Sequence, residues 1–218
     1  MSSPAERRQR IIDGIAKATA IAGRDPTDVQ LIAVSKGRSV EEIVPLIDAG
    51  QCDFGENRVQ EALEKWPALL AEYPHVRLHE IGRLQSNKAG EGVRLFGTIH
   101  SVDRTSLLEA LVKEAGKAAR QPAIYVQVNI GEEEQKGGCG LDEVKALVDA
   151  VRASPLPLAG LMAIPPLDVE PGPYFALLAK IARSHDVTGL SIGMSGDFPA
   201  AVMLGATAVR VGTALFED

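Results

Sequence analysis

Along this chain, apolar positions switch between two periods. Short apolar runs fall at 30–35, 51–54, 76–81, 97–102, 123–130, 157–162, 188–193 and 207–212, and each reads as a strand. The stretches between them repeat their apolar residues at helical spacing: 40–49, 57–72, 104–120, 141–153, 173–185 and 197–205, with a shorter, glycine-interrupted segment at 84–93. A further helix precedes the first strand, opened by Ser3, Pro4 and Glu6 in a capping-box arrangement. Ser39 with Glu42 repeats that box, and Asp103 is placed to cap the helix at 104–120.

A helix after almost every strand predicts a parallel sheet. Eight such units in 218 residues predict an α/β fold, a single (β/α)8 TIM barrel with an extra N-terminal helix, forming one domain over residues 1–218. An open doubly wound sheet is the competing topology, but no glycine-rich phosphate fingerprint follows the first strand. Alternation within strands sharpens the barrel expectation. Ile124, Val126, Val128 and Ile130 share one face, opposite Tyr125, Gln127 and Asn129. Val209 and Val211 likewise oppose Ala208, Arg210 and Gly212, which points Arg210 into the barrel.

Composition narrows the function classes. At 45% hydrophobic and 24% charged residues the chain has the makings of a globular core, and a net charge of −6 argues against nucleic acid and anionic membranes as partners. The charged start is not a signal peptide and no apolar run is long enough to span a membrane, so a cytoplasmic protein is expected. Cys52 and Cys139 form neither a disulfide framework nor a zinc pattern, and Cys52 reads as a small buried hydrophobe. His75, His79, His100 and His185 lack metal-ligand spacing, so no metal is expected. Trp66 reads as packing, and Glu132 to Glu134 as a solvated loop.

In such a barrel, chemistry sits at the C-terminal strand ends. Lys36 closes the first strand. Alone it reads as a cation reaching for water. The loop after the seventh strand, "GMSGD", offers the Ser195 hydroxyl and the start of a helix, and Gly212 and Thr213 end the eighth. These are the places where barrels bind phosphate. Ser195 alone reads as a helix cap. A lysine, an anion cradle and an inward arginine together suit a phosphorylated aldehyde held as a Schiff base.

The motifs "AVSKGRS", "FGENRVQE", "IGRLQSNK", "GLMAIPP", "LSIGMSGDF" and "GATAVRVGTALF", in this order, resemble the pyridoxal phosphate homeostasis protein family, whose members look like the N-terminal barrel of alanine racemase standing alone. The resemblance covers residues 5 to 217. It implies pyridoxal 5′-phosphate bound covalently at Lys36, Asn57 beside the cofactor, and Ser195, Gly212 and Thr213 on the phosphate. It further implies Met194 and Ser191 lining the site and Arg210 facing the pyridine nitrogen. The implied role is cofactor homeostasis, with hand-over to pyridoxal-phosphate-dependent apoenzymes, by a monomer without catalytic residues for robust turnover. The rival readings are an amino-acid racemase, which needs a second base, and a cofactor-free Schiff-base lyase. Arg83 stands where many members carry histidine, and Gly138 departs from the usual residues after "KxG". Arg83 with Lys88 reads as a solvated basic pair.

Overall fold

The computed structural model describes residues 2–217. Eight parallel strands close into a barrel in sequence order. They are β1 (Gln30–Val34), β2 (Asp53–Glu56), β3 (Arg77–Glu80), β4 (Thr98–Val102), β5 (Ala123–Gln127), β6 (Leu158–Met162), β7 (Leu190–Ser191) and β8 (Ala208–Val211). Around them run α1 (Pro4–Ile21), α2 (Val40–Asp48), α3 (Val59–Glu72), α4 (Ala89–Leu95), α5 (Thr105–Ala118), α6 (Val144–Ala153), α7 (Gly172–Ser184), α8 (Phe198–Met203) and α9 (Thr213–Phe216). The barrel and the N-terminal helix are as the sequence predicts.

The alternation of each strand builds two layers. Phe54, Leu78, Ile99, Ile124, Val126, Val209 and Val211 face outward and bury against helix residues such as Leu46, Trp66, Leu107, Val148 and Phe175 in one continuous apolar cluster. The other face fills the barrel, where Ile32, Tyr125, Met162 and Ala208 are buried apart from that cluster. The inner layer is tight: a methyl group on Gly55 would lie 2.9 Å from Ile81 and 3.1 Å from Ile32. Tyr125 and Arg210 are both buried on this inner face, as the strand alternation predicts.

Helix starts follow the local sequence. Ser3 Oγ accepts from Glu6 N–H while the Glu6 carboxylate accepts from Ser3 N–H, and Pro4 takes the first turn. The Glu42 carboxylate accepts from Ser39 N–H at 2.9 Å.

Several boundaries differ from the sequence expectation, each for a local reason. The second strand starts at Asp53, not at 51, because the Gln51 side chain donates to the Leu31 and Asp53 carbonyls and closes the strand entry. Glu56 is therefore the last residue of β2, and Cys52 lies ahead of the strand, only half-buried. The fifth strand stops at Gln127, because the Asn129 side chain pairs with the backbone of Glu133 and turns the chain. Helix α6 starts at Val144, and Arg104, not Asp103, takes the cap position of α5. The Asp103 carboxylate instead pairs with Arg104 and accepts from Gly138 N–H.

Strands β6 and β7 meet where only glycine fits. A methyl group at Gly189 would lie 1.8 Å from the Ala159 carbonyl oxygen. Gly189→Ala is expected to cost at least about 1–3 kcal/mol through overpacking. A urea midpoint equal to wild type would show that the contact yields.

Candidate cofactor site

Lys36 sits in the first turn after β1, and a bracket from β2 and α3 holds that turn. Lys65 Nζ donates to the Ser35 carbonyl at 2.8 Å and to the Arg38 carbonyl at 3.3 Å. It also pairs with Glu56 at 2.9 Å and Glu61 at 3.0 Å. The Glu61 carboxylate accepts from Gly37 N–H. Fully buried Glu56 accepts from the Ser35 hydroxyl at 2.7 Å and from Trp66 Nε1–H at 2.8 Å, through the same oxygen that meets Lys65. Trp66 thus packs as expected and also anchors this carboxylate. A buried carboxylate needs such donors, and here its donors fix the backbone on both sides of Lys36. The Lys36 side chain itself is exposed and, among the described residues, is in no ion pair.

The barrel closes by pairing β1 with β8, with Ile32 opposite Arg210 and Ala33 opposite Val211. This register carries the Lys36 turn to the end of β8. A pocket of about 320 Å³ results, lined by Lys36, Met194, Ser195, Arg210, Gly212 and Thr213 among others. Ser195 Oγ accepts from Gly212 N–H at 3.2 Å, which joins the loops after β7 and β8. Ser195 does not cap α8. Asp197 does, and its carboxylate accepts from Met194 N–H. Two expected residues lie elsewhere. Ser191 is buried behind the pocket, bonded to Arg210, and Asn57 lines a neighbouring cleft.

The donor set fits a phosphorylated aldehyde: an unpaired primary amine, two hydroxyls, a backbone N–H at the strand end, and a buried guanidinium. Burial lowers the Arg210 pKa to about 10, so Arg210 remains a cation at neutral pH. Its guanidinium donates to the Ser191 carbonyl at 2.6 Å, the Ser191 hydroxyl at 2.5 Å and the Ala163 carbonyl at 3.1 Å.

Behind Arg210 a chain of buried side chains crosses the barrel. Ser191 Oγ lies 2.9 Å from His100 Nδ1, His100 Nε2 lies 3.0 Å from His79 Nδ1, and His79 Nε2 lies 3.1 Å from Asp53. Arg77 closes the far end with two bonds of 2.7 Å to Asp53. Burial pushes the Asp53 pKa up, but bonds from His79 and Arg77 outweigh it and hold the carboxyl below its ordinary value. Burial, with the Arg210 cation close by, keeps His100 well below its ordinary value, so it is neutral. Asp53 can only accept and Arg210 can only donate. With one hydrogen on each imidazole, the protons run one way, from Arg210 through Ser191, His100 and His79 to Asp53. His100 also stacks on Tyr125, with ring centroids 4.3 Å apart.

Sequence reasoning set both histidines aside because they lack metal spacing. Among the described residues there is no metal-binding group, yet the pair has a different role. The signal was present: in "RLHE" and "TIHSV" each histidine occupies a strand position, where every second residue faces the barrel interior.

The model of the family described as "Alanine racemase, N-terminal domain" matches residues 9–218. Fold and pocket thus define a lysine-bearing barrel of the alanine racemase class. The pyridoxal phosphate homeostasis protein of Pseudomonas aeruginosa is 40% identical over 99% of this chain and 96% of its own. That of Escherichia coli K12 is 35% identical, over 99% and 97%. The chain belongs to the pyridoxal phosphate homeostasis protein family. The solved structure of PipY from Synechococcus elongatus PCC7942 with pyridoxal phosphate bound is 40% identical, covers 93% of this chain and 99% of that one, and has a TM-score of 0.79. Alanine racemase of Clostridium difficile 630 shares the fold alone, at 15% identity and a TM-score of 0.70, and this chain covers 55% of it.

Two outcomes test the buried groups. His100→Phe leaves the Ser191 hydroxyl hydrogen and His79 Nδ1 unpaired and should cost about 1–3 kcal/mol. His79→Phe should cost a similar amount, and the double variant less than the sum, because the two share one hydrogen bond. Additive urea-unfolding energies would rule out that bond. Glu80 is the second case. Burial raises its pKa from 4.5 to about 8, against bonds from Ser101 and Gly82 that lower it. A carboxyl raised on folding stabilises the protein fully below its unfolded pKa and loses that contribution as pH rises towards its folded pKa. Wild type should therefore lose stability between about pH 4.5 and 8 relative to Glu80→Gln. Parallel stability curves for the two proteins would contradict the assignment.

Proposed function

We propose that this protein holds pyridoxal 5′-phosphate reversibly at Lys36 and makes it available to other proteins. The observation that carries the reading is the convergence of Lys36, Ser195, Gly212, Thr213 and Arg210 on one pocket. The family membership and the pyridoxal phosphate found in PipY support it. The cofactor, when bound, supplies an aldehyde that condenses with amines and a conjugated ring that accepts electrons.

The chain's own groups divide the binding work. Lys36 Nζ provides the attachment point, and the bracket of Lys65, Glu56 and Glu61 keeps its turn in place. Ser195, Thr213 and the Gly212 N–H that now donates to Ser195 Oγ would hold the phosphate, Met194 would cover one side, and Asn57 would flank the cofactor from the neighbouring cleft. Arg210 would face the ring nitrogen, as the family resemblance implies. A guanidinium at that atom donates and cannot accept a proton, so it disfavours ring protonation and weakens the electron sink. Ser191 and the imidazoles behind it hold Arg210 in that orientation.

These features favour a carrier over a racemase. Racemisation needs a base on each face of the substrate, and the titratable groups lining the pocket are Lys36, Arg38 and Arg210. We read the protein as a cytoplasmic monomer that passes the cofactor to apoenzymes. Among the described residues, no helix is long and apolar enough to cross a membrane.

The test is chemical. After incubation with pyridoxal phosphate and reduction with borohydride, peptide mapping should place the adduct on Lys36, and Lys36→Ala should lose it without unfolding. Ser195→Ala with Thr213→Ala should weaken binding of pyridoxal phosphate at least tenfold while leaving pyridoxal nearly unchanged, since bonds to a charged group contribute about 1.5–3 kcal/mol each. An adduct on a different lysine, or equal affinity for the two vitamers, would overturn the site.

A further inference from the structure

A second cleft, of about 770 Å³, opens beside the barrel mouth at the ends of β2 and β3. It shares no lining residue with the Lys36 pocket. The motif "IGRLQSNK" forms one wall, so the Arg83 and Lys88 pair is part of a concave site and not of an evenly solvated surface. Four cations line it: Arg58, Arg83, Lys88 and Arg104. Lys88 is matched by Glu91 and Arg104 by Asp103. Arg58 and Arg83 are exposed and, among the described residues, take part in no salt bridge, although Arg58 is near enough to Glu61 to help lower its pKa.

The carboxyl lining this cleft does not neutralise them. Glu80 is buried, with its oxygens turned to Gly82 N–H and the Ser101 hydroxyl, and its raised pKa of about 8 leaves it uncharged at neutral pH. Two arginines that, among the described residues, form no salt bridge thus share a concavity on a chain whose net charge is −6. The walls are also set in advance. Gly82 packs so closely on Asn57 that a methyl group would lie 2.2 Å from the Asn57 carbonyl oxygen. Arg104 donates to the Ser86 hydroxyl at 3.2 Å and to the Leu84 carbonyl at 3.4 Å, which ties the loop after β3 to the start of α5.

We propose that this cleft is a second anion site, which takes the phosphate monoester of a small metabolite between Arg58 and Arg83. Guanidinium forks match phosphate oxygens in pairs, and a dianion compensates both cations at once. The volume lies within the range of small-molecule sites. Gln85 and Ser86 offer neutral donors and acceptors for the organic part. The ester comes from one of two sources, a phosphorylated form of the vitamin or an unrelated sugar-type phosphate, and the experiment separates them.

The protein is first loaded with pyridoxal phosphate and reduced with borohydride, which fills the Lys36 pocket. Glycerol 3-phosphate and pyridoxine 5′-phosphate, which lacks the aldehyde, are then titrated by calorimetry at constant ionic strength. One saturable site per chain is expected, and Arg58→Gln with Arg83→Gln should weaken it at least tenfold. Both side chains are exposed, so that variant should fold and still form the Lys36 adduct. The tighter of the two esters identifies the source. Absence of saturable binding, unchanged affinity in the double variant, or equal displacement by chloride would overturn the site. Unreduced Lys36→Ala protein is titrated in parallel. If no adduct forms at Lys36, the carrier reading fails on its own, and this arm still decides the cleft.

Discussion

The hydrogen bonds between β1 and β8 are the constraint on which the rest depends. They join the beginning of the sheet to its end, separated by most of the chain, and they set the register that puts Ile32 opposite Arg210. Every group in the proposed cofactor pocket comes from one side or the other of that seam: Lys36 from the turn after β1, Ser195 from the loop after β7, and Arg210, Gly212 and Thr213 from β8 and its exit. Slipping one residue at the seam would turn Arg210 out of the barrel and into the helix layer, because side chains alternate with period two. The N-terminal helix and the last helix reinforce the seam from outside, where Arg7 donates to the Leu215 carbonyl at 2.8 Å.

A closed barrel with small strands leaves little room for error in its two layers. The outer layer is apolar and contiguous, and burial of residues such as Phe54, Trp66, Leu111 and Phe175 supplies the drive to fold. The inner layer mixes apolar fillers with ionisable groups, which cost free energy unless each finds a partner. The molecule meets that demand by linking its inner polar groups in series. Outside the barrel, Glu56 is met by three donors through one oxygen, while its other oxygen is buried without a hydrogen-bond partner among the described residues. That carboxylate is retained where it fixes the turn carrying the proposed attachment lysine.

Much of this was legible in the sequence. Strand and helix order followed from the change of period, and the inward face of β8 from the alternation around Arg210. The grouping of Lys36 with Ser195, Met194, Gly212 and Thr213 followed from strand-end logic together with ordered motifs. What was not legible depended on three-dimensional partners. The second strand shifted by two residues because a glutamine side chain satisfied the backbone, a contact that no local propensity encodes. Asn57 follows the end of β2 at Glu56 and lines the neighbouring cleft, a placement that strand-end order alone does not specify. The histidines looked idle because single-sequence spacing detects ligands on one element, whereas His79 and His100 meet across two strands.

The chain from Arg210 to Asp53 has a property of counting. It contains four junctions, and each requires one hydrogen: with a single hydrogen on each imidazole, three come from Ser191, His100 and His79, and the fourth comes from the guanidinium. An arginine at the head is therefore a requirement of parity as well as charge. A carboxylate at position 210 would put an acceptor at both ends and leave three hydrogens for four junctions. The barrel would then have to admit an extra proton into its interior or leave one junction broken. The identity of the residue facing the pocket is thus tied, through the middle of the barrel, to an ion pair on its opposite rim.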